Sequence, residues 1–423
     1  MTLTNAEKPL ARGQASTPIT AGLGTVRVVG TGLLGTSIGL GLRTAGIRVL
    51  LDDASPTALA LAADLGAGEP AATPAAGAVG LVIVATPPDV TSEVISAELR
   101  RHPTATVTDV ASVKSRVMAE LRARSVDLTR YVGGHPMAGR ERSGSIGARG
   151  DLFIGRPWII CPFPESDPGR VETVRWLAYI LGAHSLLMAA QEHDDAVALV
   201  SHMPQVMASL VAARLSHAPE QALSVAGQGL ADVTRLAGSD PALWSQIFSA
   251  NAAPLVEVLE PLRRDLDNVI AALRSLATEG APVPAQAQPP GADRDDTAVR
   301  DDPDGSANTG NGGRQKERGG PSQGARVAVA RLVSDGNTGR GRLPGKHGGA
   351  KAVYASIAVL VPDSPGALGD MLTDIGKAGI NVEELLLEHS PGRACGLLEV
   401  SVVPGARDRL EDVLTTHGWR IVA

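Results

Sequence analysis

The sequence predicts an α/β domain built on a parallel sheet, then an all-α domain, then a small C-terminal α+β domain. Three observations support this order: short apolar runs alternate with helix-length segments over residues 25–185, apolar residues recur at three- and four-residue steps over 186–278, and a compact strand–helix pattern fills 351–423. Continuous apolar strands separated by helices are typical of a parallel sheet covered on both faces, whereas the three- and four-residue steps are typical of helices.

The composition limits the classes of protein to which the chain can belong. Its 423 residues carry a net charge of −6, which argues against a general nucleic-acid binder. Cys161 and Cys395 lie far apart and outside any CxxC motif, so neither a disulfide framework nor a thiolate metal site is expected. No apolar run approaches the roughly 18 residues of a membrane span, and the N-terminus lacks a signal-type apolar core. We therefore expect a cytoplasmic protein with no membrane, nucleic-acid or metal partner.

The first domain is expected to follow a disordered arm. Residues 1–24 mix Pro, Gly, Thr and Ala without periodicity, and the apolar runs that predict strands begin directly after them. These runs are Val26–Val29, Arg48–Leu51, Leu81–Ala85, Thr106–Asp109, Arg130–Val132 and Trp158–Cys161.

The second domain, residues 186–278, is expected to be helical and to form a homodimer. Asp240 followed by Pro241 combines a cap residue with a proline suited to the first helical turn, which predicts the start of a helix. The last helix carries a long apolar stripe on one face, which predicts a partner helix or a second subunit. The stripe consists of Leu255, Leu259, Leu262, Leu266, Ile270 and Leu273.

Residues 279–350 are rich in Pro, Gly and Gln and are expected to form a flexible linker, with a possible hairpin at 326–340 around Asp335-Gly336-Asn337. A third domain follows at 351–423. Its predicted elements are strand Ser356–Val361, helix Ala367–Ala378, strand Ile380–Glu388, strand Gly396–Val403, helix Ala406–Thr415 and edge strand Trp419–Val422.

A G-x-G-x-x-G motif at residues 30–35 follows the first strand and opens a helix, which is the context of a Rossmann-type dinucleotide-binding domain. In that context Gly30 makes the tight turn, Gly32 lets the backbone approach the pyrophosphate, and Gly35 lets helix and strand pack closely. The phosphates then meet the free N–H groups at the helix N-terminus.

Asp53 ends the second predicted strand, where a carboxylate hydrogen-bonds the adenine ribose hydroxyls and repels a 2′-phosphate. NAD is therefore expected rather than NADP. Asp52 is a competing candidate, but Asp53 directly precedes the turn at Ala54-Ser55-Pro56 and is preferred. The predicted cofactor-binding residues are Gly30, Gly32, Leu33, Leu34, Gly35, Asp53, Thr86 and Pro87.

Ligands of an open parallel sheet lie beyond the carboxyl ends of its strands. Ser112 follows one predicted strand and His135 another, so both are expected at this edge. A histidine between glycines at a strand exit is poorly placed for core packing, and a neutral imidazole suits proton removal at neutral pH. The two side chains are therefore predicted to converge beside the nicotinamide ring as a catalytic pair.

Several motifs occur in order along the chain, and together they resemble the prephenate dehydrogenase family and its arogenate-using relatives over about residues 25–278. These motifs are Thr86-Pro87-Pro88, Ser112-Val113-Lys114, Gly134-His135-Pro136-Met137-Ala138-Gly139, Ser201-His202-Met203-Pro204 and Thr234-Arg235-Leu236-Ala237-Gly238-Ser239-Asp240-Pro241. A further pair, Pro362-Asp363-Ser364-Pro365-Gly366 and Gly379-Ile380-Asn381, is similar to the ACT domain, a small ferredoxin-like module that senses amino acids.

The resemblance implies NAD-dependent oxidative decarboxylation of prephenate to 4-hydroxyphenylpyruvate in tyrosine biosynthesis, with conversion of arogenate to tyrosine as the alternative. It makes His135 the proton acceptor and has Ser112 hydrogen-bond both the imidazole and the substrate hydroxyl. Arg235 is implied to bind a substrate carboxylate, for which a guanidinium offers two parallel hydrogen bonds. A non-catalytic NAD and amino-acid sensor, or another hydroxyacid or phosphogluconate-type dehydrogenase, stays open as a different class.

Other residues are open to two interpretations. His202 and Trp244 match the family's cleft, but a capped helix histidine and a core tryptophan are equally good interpretations. Glu141 could favour the ammonium group of arogenate, whereas Arg140, which departs from the commonest family pattern, could favour the second carboxylate of prephenate. The cluster Glu192-His193-Asp194-Asp195 is interpreted as a solvated helix start rather than a metal site.

The resemblance to the ACT domain predicts an effector site for tyrosine, or else phenylalanine, in the C-terminal domain. Asp363, Gly366 and Asn381 are its candidate residues, and the glycine supplies a backbone that a ligand can approach closely. The alternative is that Pro365-Gly366 is only a turn into a helix.

Overall fold

The computed structural model describes residues 24–71, 79–139, 144–279, 321–343, 354–389 and 395–422. The predicted arm at 1–24 and most of the predicted linker at 279–350 lie outside these ranges. The chain divides into two compact units, residues 1–260 and 261–423.

The first unit contains an eight-stranded sheet in the order β3-β2-β1-β4-β5-β6-β7-β8. Apolar side chains alternate between its faces: Leu81 and Ile83 join one buried cluster, while Val82 and Val84 join the other. Both faces are therefore covered, as predicted. The strands are β1 (Thr25–Val29), β2 (Val49–Asp52), β3 (Glu69–Pro70), β4 (Val79–Val84), β5 (Thr106–Asp109), β6 (Tyr131–Pro136), β7 (Pro157–Pro162) and β8 (His184–Leu187).

The sheet departs from the prediction in three places. It is mixed rather than parallel, because β7 runs antiparallel to β6, and only a short 3₁₀ turn at Ser145–Gly147 lies between them among the described residues. A parallel pair would need a crossover, usually a helix. β6 extends to Pro136 rather than ending at Val132, so His135 lies within a strand. The short strands β3 and β8 were not predicted.

Five helices cover this sheet. The first opens at the glycine motif, and the others connect successive strands or follow β7. They are α1 (Leu33–Thr44), α2 (Pro56–Asp64), α3 (Thr91–Arg101), α4 (Ser115–Ala123) and α5 (Pro168–Ile180).

The helical region begins after β8, as predicted. Asp240 caps α10 by accepting a hydrogen bond from the Ala242 N–H, and the predicted long helix is α11. Part of its apolar stripe is exposed, including Leu266 and Leu273. The helices are α6 (Ala190–Val197), α7 (Met203–Leu215), α8 (Glu220–Leu223), α9 (Gln228–Thr234), α10 (Pro241–Ala250) and α11 (Ala252–Glu279).

A π-helical segment at Ala198–His202 joins α6 and α7 into one helical run. This run, Ala190–Leu215, is long and apolar enough to cross a membrane by length and composition alone. The expectation that no apolar run approaches the length of a membrane span is wrong on those two criteria. Polar residues such as Ser201 and His202 interrupt the run, but they are uncharged and leave its mean hydropathy high. Leu199, Val200 and Leu210 are exposed along it.

The hairpin predicted at 326–340 is wrong. Residues Pro321–Gly341 form a helix, α12. Ala325 is buried and Val329 partly buried, and these two residues are four positions apart, which is the helical spacing. The prediction instead gave weight to the alternation of Val327 and Val329 and to the Asp335-Gly336 turn signal.

The C-terminal region folds around a four-stranded antiparallel sheet in the order β10-β11-β9-β12. The predicted elements are present, but the second strand begins at Glu384 rather than Ile380, which is instead buried in the core of this region. The elements are β9 (Ala355–Pro362), α13 (Ala367–Lys377), β10 (Glu384–His389), β11 (Cys395–Val402), α14 (Arg407–Thr416) and β12 (Arg420–Val422).

Candidate active site

The glycine loop between β1 and α1 leaves an open surface at a helix N-terminus. A Cβ at Gly30, whose φ is +97°, would lie 2.4 Å from the Ala85 carbonyl oxygen, and one at Gly35 would lie 1.9 Å from the Gly30 carbonyl oxygen. A Cβ at Gly32 would meet nothing within 4 Å, and Gly32 begins α1 without a side-chain cap. Packing thus requires glycine at Gly30 and Gly35, while the space and free N–H groups at Gly32 fit a dinucleotide pyrophosphate.

The carboxylate of Asp53 lies beside this loop. Its Oδ2 accepts hydrogen bonds from the Thr31 backbone N–H at 2.6 Å and the Thr31 hydroxyl at 2.8 Å, and its Oδ1 accepts one from the Ser55 N–H at 2.8 Å. Asp52 instead pairs with the buried guanidinium of Arg27. The Asp53 carboxylate thus contacts the glycine loop whereas the Asp52 carboxylate contacts Arg27, and the assignment of Asp53 to the ribose stays a prediction. Thr86 and Pro87 follow the end of β4, where their carbonyl oxygens accept hydrogen bonds from the Thr91 hydroxyl.

A buried ion pair fixes the backbone at the carboxyl ends of β5 and β6. Lys114 and Asp109 are both fully buried and form a salt bridge. Asp109 Oδ1 also accepts from the Gly134 N–H at 3.1 Å and from the Tyr131 hydroxyl at 3.0 Å, and Lys114 Nζ donates to the Gly134 carbonyl oxygen at 2.8 Å. The peptide groups just before His135 are therefore held on both sides.

His135 belongs to a buried chain of hydrogen-bonded side chains. Its Nδ1 lies 2.8 Å from Nε2 of His193, and Nδ1 of His193 lies 2.8 Å from Oδ1 of Asp194. Asp194 in turn accepts from the backbone N–H groups of Lys114 at 2.9 Å and Ser115 at 2.8 Å. The start of α6 and the start of α4 thus meet behind the imidazole of His135.

The pKa values follow from this environment. Burial, then the neighbouring His193, Lys114 and His202, hold the pKa of His135 well below its ordinary 6.5. Burial acts to raise the pKa of Asp194, but hydrogen bonds from His193, Lys114 and Ser115 outweigh it and lower that pKa. At neutral pH the imidazole of His135 is therefore uncharged and Asp194 is a carboxylate.

His193 and Asp194 are the residues that the sequence analysis missed. They are 0% and 2% exposed, so the interpretation of residues 192–195 as a solvated helix start is wrong for these two. The signal was their position in the helix: Val197 and Ala198 lie four residues further on and are also buried. The buried face of the helix is apolar at Val197 and Ala198 and continues toward the N-terminus with the polar residues His193 and Asp194.

Ser112 lies in the segment between β5 and α4, at the same edge of the sheet as His135, because β5 and β6 are parallel neighbours. Among the described residues no hydrogen bond joins the two side chains, and Nδ1 of His135 faces His193 instead. The catalytic role of Ser112 stays a prediction.

The predicted substrate residues occupy different environments. His202 is 1% exposed, and burial lowers its pKa to about 4. Its Nδ1 accepts from the Asn251 side-chain amide at 3.1 Å, and its ring packs edge-on against Trp244. Arg235 is exposed in a 3₁₀ turn after α9. Arg140 and Glu141 lie outside the described residues.

Two of the predicted effector residues, Asp363 and Gly366, precede α13, and the third, Asn381, follows its end. Gly366 has a φ of +93° and precedes the helix, and Asp363 is exposed. Asn381 donates from Nδ2 to Oε1 of Glu383 at 2.7 Å. The left-handed conformation of Gly366 explains the glycine by the turn into the helix, which is the alternative that the sequence left open.

Comparison with known proteins gives matches along most of the chain. The model of the prephenate dehydrogenase nucleotide-binding domain matches residues 38–187, and that of the prephenate dehydrogenase dimerization domain matches 189–281. A probable prephenate dehydrogenase, NovF of Streptomyces niveus, is 34% identical over 397 residues, which are 93% of this chain and 98% of that protein.

Solved structures are also similar to part of this chain. Prephenate dehydrogenase from A. aeolicus, in complex with hydroxyphenyl propionate and NAD+, has a TM-score of 0.55 at 29% identity and covers 60% of this chain and 92% of its own. Synechocystis arogenate dehydrogenase has a TM-score of 0.51 at 26% identity and covers 60% of this chain and 93% of its own.

Proposed function

This chain belongs to the prephenate dehydrogenase family and is an NAD-dependent dehydrogenase, and on that premise we propose that it converts prephenate to 4-hydroxyphenylpyruvate by oxidative decarboxylation, a step of tyrosine biosynthesis. The observation that carries the proposal is the buried, uncharged imidazole of His135, in a strand that shares its sheet with the glycine loop. A buried base with a lowered pKa is ready to take a proton at neutral pH.

Oxidation of the substrate removes a hydride and a proton from its alcohol, and decarboxylation removes CO₂ from the ring. Prephenate is a cyclohexadienol with a carboxylate on the opposite ring carbon. NAD, held at the glycine loop, would supply the acceptor for the hydride of the carbinol carbon. His135 accepts the hydroxyl proton at Nε2, since its Nδ1 is engaged by His193. Loss of the ring carboxylate as CO₂ leaves its bonding electrons in the ring, which becomes an aromatic phenolate and so supplies the driving force. The proton held by His135 then returns to the phenolate oxygen and gives 4-hydroxyphenylpyruvate.

Other residues bind and orient. Gly32 and the first turn of α1 would hold the pyrophosphate, and Asp53 would accept hydrogen bonds from the adenine ribose. Ser112 is proposed to orient the substrate hydroxyl toward His135, and Arg235 to bind a carboxylate. His202 and Trp244 pack on each other, which supports a structural contribution to the substrate region by both.

Arogenate is the alternative substrate, and the similarity to Synechocystis arogenate dehydrogenase supports keeping it. Prephenate and arogenate share the ring on which His135 would act and differ in the side chain. The proposal that Arg140 and Glu141 select between the two rests on their charges alone, because a carboxylate attracts the ammonium of arogenate and a guanidinium repels it.

The absorbance at 340 nm tests the proposal directly. Purified full-length protein is mixed with NAD and either prephenate or arogenate. We expect NADH to form, faster with prephenate, and the ratio of the two rates gives the substrate preference. No NADH with either compound would contradict the proposal and would favour the NAD-dependent sensor, whereas NADH only with another hydroxyacid would favour a different dehydrogenase.

We further propose that the enzyme is a cytoplasmic homodimer. The dimerization-domain match at 189–281 supports a second copy of the chain as the partner. Exposed Leu199, Val200 and Leu210 lie on the run that also meets the length and composition of a membrane span. Burial of these side chains against the second copy would explain an apolar helix without a membrane.

The C-terminal region is proposed to be an ACT-type regulatory domain that binds tyrosine. Its β-α-β-β-α-β order and antiparallel sheet support this. Calorimetry of the full chain with tyrosine and with phenylalanine is the test. Heat with neither, together with activity insensitive to both, would contradict it.

A further inference from the structure

We propose that His193 is a positioning residue that fixes the tautomer of His135, with Asp194 as the fixed end of the hydrogen-bonded chain. The proposal rests on the proposed function, because it assigns His135 the role of proton acceptor. It adds two residues from the helical region to a site whose other predicted catalytic groups lie on the sheet. Neither residue touches the reacting atoms in this scheme; both act through His135.

With a neutral ring at His193, which is part of the proposal, the two 2.8 Å contacts allow one arrangement of protons. Asp194 is a carboxylate, so the 2.8 Å contact with Nδ1 of His193 requires a proton on that nitrogen. In the neutral ring of His193, Nε2 is then an acceptor. The 2.8 Å contact between this Nε2 and Nδ1 of His135 requires the proton on Nδ1 of His135. The remaining nitrogen of His135, Nε2, is left with a free lone pair, which is the form a general base needs.

The fixed end of the chain is held by backbone rather than by mobile side chains. The Asp194 carboxylate accepts from the N–H groups of Lys114 and Ser115, the residues at which α4 begins. A helix N-terminus favours a negative charge, so the position stabilises the ionised form. The Asn251 side-chain amide also donates to the Asp194 carbonyl oxygen at 2.8 Å. Both ends of the Asp194 residue are therefore anchored.

The charged and titratable groups around His135 come from four elements. His193 and Asp194 lie on α6, Lys114 precedes α4, Asp109 ends β5, and His202 lies in the π-helical segment. When His135 takes the substrate proton, the ring becomes a positively charged imidazolium. Its Nδ1–H still donates a hydrogen bond to Nε2 of His193, and Nδ1–H of His193 donates to Asp194. Since Lys114 opposes this charge and is itself paired with Asp109, Asp194 is the anionic group of the chain that stabilises the imidazolium, and it acts through the hydrogen bonds of His193.

A pair of substitutions at one position separates tautomer control from filling of space. In His193→Gln, the amide oxygen can still accept from Nδ1 of His135; in His193→Leu, nothing can. With prephenate, we expect His193→Leu to lower kcat on the order of 100-fold or more, as loss of the productive tautomer does in other imidazole bases. We expect His193→Gln to recover at least tenfold of that loss. Affinity for NAD, measured by calorimetry, should not change in either variant.

The pH profile gives a readout that a purely structural role would not move. Only the glutamine oxygen can accept from Nδ1 of the imidazolium, so the acidic limb of kcat should lie at lower pH in His193→Leu than in His193→Gln. Equal losses in the two variants, or wild-type kcat in His193→Leu, would overturn the proposal.

Nitrogen NMR of ¹⁵N-histidine-labelled wild-type protein tests the tautomer without any substitution at residue 193. The His135→Asn protein identifies the His135 signals by their loss. We expect a protonated Nδ1 and an unprotonated Nε2 at neutral pH, and the reverse pattern would refute the inference. This measurement needs no substrate, so its result stands apart from the success or failure of the prephenate assay.

Discussion

Two buried charged clusters lie on the same sheet and differ in the groups to which they make hydrogen bonds. At the carboxyl ends of β5 and β6, Lys114 and Asp109 are both fully buried, and each also makes a hydrogen bond to the backbone just before His135. On β1, Arg27 is equally buried, but its guanidinium meets two carboxylates: Glu98 at 2.9 Å, and Asp52, whose side chain is 41% exposed.

The difference shows why burial of charge alone does not identify a site. In the Arg27 cluster the charges satisfy one another, and Glu98 also contacts Arg101 and His102. In the Lys114 cluster the ion pair holds the peptide groups on either side of Gly134. The next residue is His135, whose Nδ1 contacts His193 and whose Nε2 does not. The first cluster joins α3 to the sheet, whereas the second positions a base at the edge where ligands of such sheets bind.

The largest expected effect separates the base from its surroundings. We expect His135→Asn to lower kcat with prephenate by about 10²–10⁴-fold, the usual contribution of a general base. Affinity for NAD, measured by calorimetry, should be unchanged, because the glycine loop and Asp53 are untouched. Near-normal turnover in this variant would remove His135 as the base and make the two clusters equivalent.

Matched substitutions in the two clusters test the comparison itself. Lys114→Met leaves Asp109 buried without its cation, so the free energy of unfolding in urea should fall by about 3–5 kcal/mol, with a large loss of kcat. Arg27→Met should cost about 3 kcal/mol, because Asp52 reaches solvent, and should leave kcat at saturating NAD within about twofold of wild type. If both variants lose kcat alike, the clusters do not differ in function.

An exposed cation provides the third contrast. We expect Arg235→Ala to raise KM for prephenate at least tenfold, or about 1.4 kcal/mol, which is the scale of a hydrogen bond to a charged group. Stability should barely change, since the side chain is exposed. Arg235→Lys is the control, because it keeps the charge and loses the geometry for two parallel hydrogen bonds. Its KM for prephenate should lie between those of the wild type and Arg235→Ala. An unchanged KM in Arg235→Ala would exclude the residue from substrate binding.

The smallest effect is one of pH. Because burial holds the pKa of His135 below its ordinary 6.5, the acidic limb of kcat/KM should have its midpoint below pH 6.5. The base must be unprotonated, so activity is retained as pH falls to this value and is lost as pH falls through the lowered pKa. A midpoint at or above 6.5 would mean that the imidazole is more hydrated than its burial indicates.

Much of the fold could be predicted because it depends on local signals. The glycine turn, the Asp240 cap and the apolar strands each depend on a few neighbouring residues, and they lie close to where they were expected. The predicted hairpin failed because two alternating valines are too short a pattern to distinguish a strand from a helix. The reversal of β7 could not be predicted either, since strand direction depends on the connection and not on the strand's own residues.

The site divides in the same way. His135 and Ser112 could be assigned to one edge because parallel strands end together, but nothing near His135 in the sequence indicates His193. The polar pair at the start of α6 looks like an ordinary charged helix end until the packing of that helix is known. A functional role for it follows only from burial and from the distances to His135.

By itself, the sequence determined the dinucleotide-binding turn and the order of the nucleotide-binding and helical domains, because backbone sterics and apolar periodicity act over a few residues, and its ordered motifs determined the family. Only the tertiary structure decided which nitrogen of His135 is available as a base. That choice depends on a hydrogen bond between residues 58 positions apart in the chain, and such a bond exists only once α6 has packed against the end of the sheet.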